Sequence, residues 1–253
     1  MSDAPHPLRV LIVDDEAPAR SRMHDVLADC AQELALEIVG EAANGRAALE
    51  LLERVPCDVV LLDVRMPEMD GIEFAQHLLK LERPPGVIFA TAYDAYALKA
   101  FEVNAVDYLL KPIRASRLKE ALARVGSARP LRAEALRALQ RSPRAHLSAQ
   151  ERGKIELIPI GDVVYLKAEL KYVTVRTVRG EHLIEESLTR LEEEYGERFV
   201  RVHRNCLVAR AAVRGFERAG EDGESHWVVL LNGIDEKLPV SRRQQNVMRE
   251  FSR

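Results

Sequence analysis

Cysteine is scarce in this chain, and its scarcity excludes a fold held together by disulfides. The 253 residues include only three cysteines, Cys30, Cys57 and Cys206, which lie far apart without a CxxC pairing. We expect neither a disulfide framework nor a zinc site, and this usage is typical of the reducing cytoplasm.

Long apolar runs and a secretory start are also missing. No apolar run approaches the roughly 20 residues that span a bilayer, and the start MSDAPHPLRV lacks a basic segment followed by an apolar one. We therefore expect a cytoplasmic protein with no membrane partner. The length predicts one or two domains, at roughly 150 residues each.

The net charge is only −3, but it is distributed unevenly. Residues 1–125 hold 14 basic and 21 acidic side chains, residues 126–144 hold 5 and 1, and residues 145–253 hold 18 and 18. An acidic half, a basic connector and a balanced half predict two domains, 8–125 and 145–253, with a linker over 126–144. The linker is either a solvated connector or a contact for DNA phosphates or for the acidic domain.

Short β-branched runs alternate with helical patterns in the first half. Such runs indicate a doubly wound parallel sheet of five strands with helices on both faces. The predicted strands are Leu8–Val13, Glu37–Ala43, Asp58–Leu62, Val87–Thr91 and Val106–Leu110, and the predicted helices are Ala17–Ala31, Ala47–Val55, Ile72–Leu81, Tyr96–Val103 and Arg114–Val125.

Polar residues follow the predicted strands at one edge of this sheet. Asp14 and Asp15 follow the first strand and Asp63 the third, while Thr91 and Lys111 lie at the ends of the fourth and fifth. Three carboxylates repel one another unless a cation neutralises them, and oxygen ligands without Cys or His favour Mg²⁺. A lysine and a hydroxyl opposite them can bind an anion. The set predicts phosphoryl transfer with Asp63 as the nucleophile.

These residues stand in motifs that resemble the receiver domain of response regulators. The motifs are VDDE at 13–16, LLDVRMPEMDG at 61–71, TA at 91–92 and YLLKP at 108–112. The resemblance implies that a sensor histidine kinase, or a small acyl phosphate, phosphorylates Asp63.

The resemblance also assigns roles to the neighbouring residues. It implies that Asp14, Asp15 and Asp63 bind Mg²⁺ together with the backbone carbonyl of Arg65. It implies that Lys111 contacts the phosphoryl group, that Thr91 and Tyr108 form the switch pair, and that the peptide before Pro112 is cis.

The second half predicts a mainly β domain of short strands. The best alternation is in Tyr172–Val178, where Val173 and Val175 share one face and Thr174 and Arg176 the other. A helix is predicted over Ser187–Tyr195, and another closes the chain over Arg242–Phe251. Another strand is predicted over Val163–Ala168, before Tyr172–Val178.

Basic residues cluster locally in this half although its net charge is zero. Residues 198–218 hold six arginines against Glu217, which favours either a DNA-binding face or solvated strand edges with cross-strand pairs. His203 has a structural role or contacts DNA, Ser241 is favoured as a helix cap over a phosphate contact, and Cys206 is expected in the core.

Three stretches resemble the LytTR DNA-binding domain: 155–177, 199–210 and 238–247. The resemblance implies a mainly β domain that contacts DNA from loops, and the whole chain resembles AlgR-type regulators. The family often has Ser where Asn205 stands, so a contact made by that Ser is lost or replaced. The implied contacts are Lys171, Arg204 and Arg243, with Asn205 and Arg242 as accessory contacts.

Together these features predict a phosphorylation-controlled bacterial transcription regulator that binds double-stranded promoter DNA. We expect a homodimer on DNA or when phosphorylated, and no catalysis beyond the receiver's own phosphorylation and dephosphorylation. The alternatives are a protein-interaction module in place of DNA binding, an enzymatic output, which the absence of a phosphate-cradling glycine loop disfavours, and regulation without phosphorylation.

Overall fold

The structure is a computed structural model that describes residues 6–92, 104–127, 131, 133, 136–137, 143–151, 154–219 and 226–251. Contacts divide the chain into two compact units, Met1–Arg144 with Glu151–Ile155, and Ala145–Gln150 with Glu156–Arg253. The predicted helix Tyr96–Val103 lies outside the described residues. No helix in the described part is long and apolar enough to cross a membrane.

The first unit contains a five-stranded parallel sheet, as predicted. The strands are β1 (Leu8–Val13), β2 (Leu36–Ala42), β3 (Val59–Leu62), β4 (Gly86–Thr91) and β5 (Asp107–Leu110), and the described helices are α1 (Ala17–Cys30), α2 (Gly45–Leu52), α3 (Gly71–Leu78) and α4 (Ala115–Leu122). The strands follow the order β2-β1-β3-β4-β5, and their bounds differ from the predicted ones by no more than one residue.

The central strands are apolar on both faces because helices cover both. Residues of one face, such as Val10 and Ile12, pack with Leu27 of α1 and Leu118 of α4 in one buried cluster. Burying each such side chain contributes about 1.5–3 kcal/mol. This packing fixes where the strands end.

Backbone hydrogen bonds continue the sheet one residue beyond its strands. The Asp63 amide donates to the Val13 carbonyl at 2.9 Å, and the Lys111 amide donates to the Thr91 carbonyl at 2.9 Å. The Asp14 amide donates to Ala42 at 3.1 Å. The polar residues predicted at one edge are therefore anchored there by their own main chain.

The second unit is mainly β, as predicted. The strands are β6 (His146–Glu151), β7 (Lys154–Pro159), β8 (Val163–Glu169), β9 (Tyr172–Thr177), β10 (Glu181–Ile184), β11 (Phe199–His203), β12 (Cys206–Ala209), β13 (Val213–Ala219), β14 (His226–Leu231) and β15 (Lys237–Val240), and the described helices are α5 (Leu188–Tyr195) and α6 (Val247–Glu250). The largest sheet is antiparallel in the order β10-β9-β8-β12-β11, and the other two are a three-stranded sheet β13-β14-β15 and a two-stranded sheet β6-β7.

The two faces of the five-stranded sheet pack against different elements. Val173 and Val175 are buried with Leu191 of α5, which confirms their predicted shared face. Tyr165 and Cys206 are buried with the three-stranded sheet on the other face, so the prediction of a core Cys206 is confirmed.

Two local predictions for the second unit are wrong. The closing helix is not continuous, because a short 3₁₀ turn over Arg242–Gln244 precedes α6. Ser241 precedes that turn, but its side chain forms no capping hydrogen bond. The strand β6 was not predicted, since HLSAQE has little β-branched or alternating character.

Gly71 begins α3 directly against the backbone of Asp63. A Cβ at this position would lie 2.1 Å from the Asp63 carbonyl oxygen, and that backbone is held in the sheet. We expect Gly71→Ala to lower the free energy of unfolding of the first unit by about 2 kcal/mol or more, measured in urea. The control is Gly126→Ala, where nothing lies within 4 Å of the added Cβ. Equal stability of the two variants would contradict this packing.

Candidate functional site

Three carboxylates meet at the carboxyl edge of the parallel sheet. Ligand oxygens of Asp14, Asp15 and Asp63 lie within 4.8 Å of one another. Asp14 is 4% exposed and Asp63 8%, so water screens their repulsion poorly. The predicted convergence of these strand ends is confirmed, and the cluster requires positive charge.

Lys111 supplies positive charge inside the cluster. Its Nζ donates to Asp14 Oδ2 at 2.6 Å and to Asp63 Oδ2 at 2.8 Å. Burial alone lowers the pKa of Lys111, but hydrogen bonds and charge attraction from both carboxylates outweigh it, so the pKa is raised above its ordinary value. The lysine is therefore an ammonium that bridges two carboxylates.

Backbone amides fix the other oxygens of the same carboxylates. The Glu16 amide donates to Asp14 Oδ1 at 3.0 Å, and the Arg65 amide donates to Asp63 Oδ1 at 3.3 Å. In addition, Arg20 Nη1 donates to the Asp14 carbonyl at 2.9 Å. Sequence reasoning missed Arg20, because an arginine on an amphipathic helix gives no signal that it reaches back to the preceding loop.

The donor set fits a hard divalent cation. All the side chains offer carboxylate oxygens, and the Arg65 carbonyl belongs to the loop that directly follows Asp63. Mg²⁺ takes oxygen ligands of this kind and keeps several waters. The residues that could hold it are Asp14, Asp15 and Asp63 with the Arg65 carbonyl.

The predicted switch residues lie on the next two strands of the sheet, Thr91 on β4, which pairs with β3, and Tyr108 on β5, which pairs with β4. Thr91 ends β4 and is fully buried, while Tyr108 on β5 is half-buried. The Tyr108 ring centre lies 6.3 Å from that of Phe89, its register partner on β4. The Lys111–Pro112 peptide is cis, as the resemblance implied.

Three basic turns of the second unit are tied to one another. The β8–β9 turn carries Lys171, and the β11–β12 turn carries Arg204. The Ala168 amide donates to the Asn205 carbonyl at 2.8 Å, and Asn205 Nδ2 donates to the Ala168 carbonyl at 3.3 Å. The third basic turn is the 3₁₀ turn Arg242–Gln244. It is held next to β11 because the amide of the preceding Ser241 donates to the Val202 carbonyl at 2.9 Å.

Four of the predicted DNA-contacting side chains are exposed on these segments: Lys171, Arg204, Arg242 and Arg243. Lys171 Nζ lies 3.6 Å from Glu185 Oε1 and 5.3 Å from the Tyr172 ring centre. Among the described residues the three arginines form no ion pair. Asn205 differs, because its amide oxygen contacts His203 Nδ1 within the turn.

Other arginines of the predicted basic cluster are used structurally. Arg201 pairs with Glu192 at 2.6 Å and donates to the Arg204 carbonyl at 2.7 Å, which braces that turn. Arg210 pairs with Glu250 at 2.6 Å. Fewer arginines are therefore available to a ligand than the six counted over residues 198–218.

Leu170 is a feature that the sequence analysis did not single out. It precedes Lys171 in the two-residue β8–β9 turn, its φ is +53°, and its side chain is fully exposed. The left-handed conformation costs a non-glycine residue about 1–2 kcal/mol. Neither the backbone conformation nor the burial of apolar surface favours leucine at this position.

Comparison with known proteins identifies both units. Residues 10–123 match the model of the response regulator receiver domain, and residues 153–252 match that of the LytTr DNA-binding domain. The chain is 46% identical to the positive alginate biosynthesis regulatory protein of Pseudomonas aeruginosa, over 93% of this chain and 95% of that protein.

Two further relatives have the same extent. The sensory transduction protein LytT of Bacillus anthracis is 36% identical over 97% of this chain and 99% of its own. The transcriptional regulatory protein BtsR of Salmonella typhi is 34% identical over 96% and 98%. The chain therefore belongs to the response regulators that join a receiver domain to a LytTR DNA-binding domain, and it is a phosphorylation-controlled transcription regulator of the AlgR-like type.

Proposed function

We propose that Asp63 accepts the phosphoryl group that controls this regulator. The observation that carries the proposal is a nearly buried carboxylate bound to Lys111 beside two further carboxylates. A carboxylate oxygen of Asp63 forms the bond to phosphorus while the phosphorus–nitrogen bond of a phosphohistidine in a sensor histidine kinase breaks. A small acyl phosphate supplies the same group. The receiver catalyses only this phosphorylation and the later hydrolysis of the aspartyl phosphate, in which water takes the phosphoryl group and the Asp63 carboxylate is released as inorganic phosphate forms.

The neighbouring residues orient the group and balance its charge. Mg²⁺ at Asp14, Asp15, Asp63 and the Arg65 carbonyl would neutralise phosphoryl oxygens. Lys111 exchanges its hydrogen bonds to the carboxylates for a hydrogen bond to the phosphoryl group, because that group carries more negative charge. The hydroxyl of Thr91, the buried last residue of β4, donates to the same oxygens.

The conformational response is a shift between two states of the receiver. Movement of Thr91 toward the phosphoryl group opens space into which the half-buried Tyr108 ring turns. The face formed by β5 and α4 then pairs with the same face of a second copy. A two-fold dimer presents two DNA-binding domains to a repeated site.

The proposed DNA contacts are the exposed basic residues on the three tied turns. Arg204 and Arg243 contact DNA bases or phosphates, and Lys171 contacts the phosphate backbone of the DNA. Asn205 and Arg242 make accessory contacts. The domain bounds in this proposal are 8–125 and 145–253, with a basic linker over 126–144. Because the target is promoter DNA, we place the protein in the cytoplasm.

Asp63→Asn is expected to abolish phosphoryl uptake while the fold is retained, because the amide has no nucleophilic oxygen. The measurement is the intact mass of the full chain after incubation with acetyl phosphate and Mg²⁺. The control Asp25→Asn, on the exposed side of α1, should gain phosphate as the parent chain does. Phosphorylation of Asp63→Asn to the parent level would show that another residue is the acceptor.

Lys111→Met tests the charge balance of the acidic cluster. Without Mg²⁺, we expect the free energy of unfolding at pH 7 to fall by about 2 kcal/mol, since two buried carboxylates lose their shared donor. Mg²⁺ should then raise the thermal midpoint of this variant more than that of the parent chain. Lys119→Met, outside the cluster, serves as the control. An identical rise in parent and Lys111→Met would argue against charge balance between Lys111 and the metal, and no Mg²⁺ effect on either chain would argue against metal binding here.

Arg243→Ala is expected to weaken specific DNA binding by about 1–3 kcal/mol if the arginine contacts a base. Arg198→Ala removes another exposed arginine, which precedes β11 at the opposite end of that strand from Arg204. This variant should change affinity little. Affinities are measured on a selected site and on random DNA at one salt concentration. An equal loss on both DNAs would reassign Arg243 to a phosphate contact, and no binding to any DNA would favour a protein partner.

A further inference from the structure

Leu170 projects from the end of the domain that carries the basic turns. It lies beside Lys171 in the β8–β9 turn, and Asn205 binds Ala168, two residues before it, through both main chain and side chain. Leu170 therefore stands next to the Arg204 turn. Its side chain is among the most exposed of the large hydrophobic residues described, at 110% of the reference area.

Folding does not explain leucine at this position. The residue has a φ of +53°, a conformation in which glycine or asparagine is favoured at a two-residue turn. A fully exposed side chain also gains nothing from burial in the free protein. A strained, exposed apolar residue at a ligand-binding end is evidence for contact with the ligand.

The surrounding charges favour DNA as that ligand. Lys171 follows Leu170 directly, and Arg204 precedes Asn205, which is bonded to Ala168. Glu169 is paired with Lys167 at 2.5 Å, and the exposed Glu185 lies 3.6 Å from Lys171. A nonpolar side chain between basic groups can contact the apolar feature of the major groove, which is the 5-methyl group of thymine.

We propose that Leu170 is a specificity-determining residue that contacts a thymine methyl group beside the phosphate bound by Lys171. This inference rests on the proposed DNA-binding function and adds a base preference to it. Packing the methyl against leucine removes apolar surface of both from water, and we expect about three- to tenfold tighter binding of thymine than of uracil at one position.

The test uses the full chain with Mg²⁺ and fluoroberyllate on a site selected from random DNA. Each thymine is replaced singly by deoxyuridine, which removes only the methyl group. In the parent chain one replacement should weaken binding about three- to tenfold. Leu170→Gly should show the same loss on thymine DNA and no further loss at that position on uracil DNA.

The controls separate this contact from folding and from general DNA affinity. Leu170→Gly suits the turn, so its thermal midpoint should not fall, and Leu170→Ala should reproduce its binding loss. Val178→Ala, an exposed apolar residue at the other end of β9, should bind as the parent does. The inference is overturned if Leu170→Gly binds the selected site normally, loses equal affinity for random DNA, or keeps the parent's response to uracil. Failure of the parent chain to select any site would overturn the DNA-binding function itself, and the inference with it.

Discussion

The bridge from the Lys111 ammonium to Asp14 and Asp63 is the interaction on which the receiver depends. The parallel sheet places acidic residues from separate strand ends within 4.8 Å of one another, and in a poorly hydrated edge their repulsion is large. One ammonium bonded to both carboxylates reduces that repulsion. The proposed phosphoryl group on Asp63 would alter this balance, because Lys111 would then have a more negative partner than Asp14. The charge balance thus links chemistry at one residue to the position of the groups around it.

In the second domain, hydrogen bonds between turns have the corresponding structural role. Base recognition requires side chains held at fixed spacing, and turns alone are too mobile to provide it. The paired hydrogen bonds between Asn205 and Ala168 fix the Arg204 turn against the strand that leads to Lys171. Arg201, neutralised by Glu192, braces the same turn through the Arg204 carbonyl. Some arginines therefore support the frame, and others remain exposed for a ligand.

The parallel sheet and its acidic edge could be predicted because both leave periodic signals in the sequence. Apolar runs such as Val59–Leu62 identify buried strands, and residues that follow such runs must meet at one edge. Features set by tertiary contacts could not be predicted. Arg20 reaches the Asp14 carbonyl across a loop, Arg201 is neutralised by a helix residue, and the φ of Leu170 follows from the hairpin geometry of β8 and β9. No local sequence pattern indicates these two side-chain contacts or this backbone angle.

The central claim is that phosphorylation at Asp63 controls DNA binding by the second domain. The most direct test selects fragments of the organism's own genome with the full chain, with and without Mg²⁺ plus fluoroberyllate, which mimics the phosphoryl group. We predict specific binding that the mimic strengthens in the parent chain and leaves unchanged in Asp63→Asn. Specific binding indifferent to the mimic would contradict the coupling between the domains, and the absence of specific binding in both states would contradict the DNA-binding role.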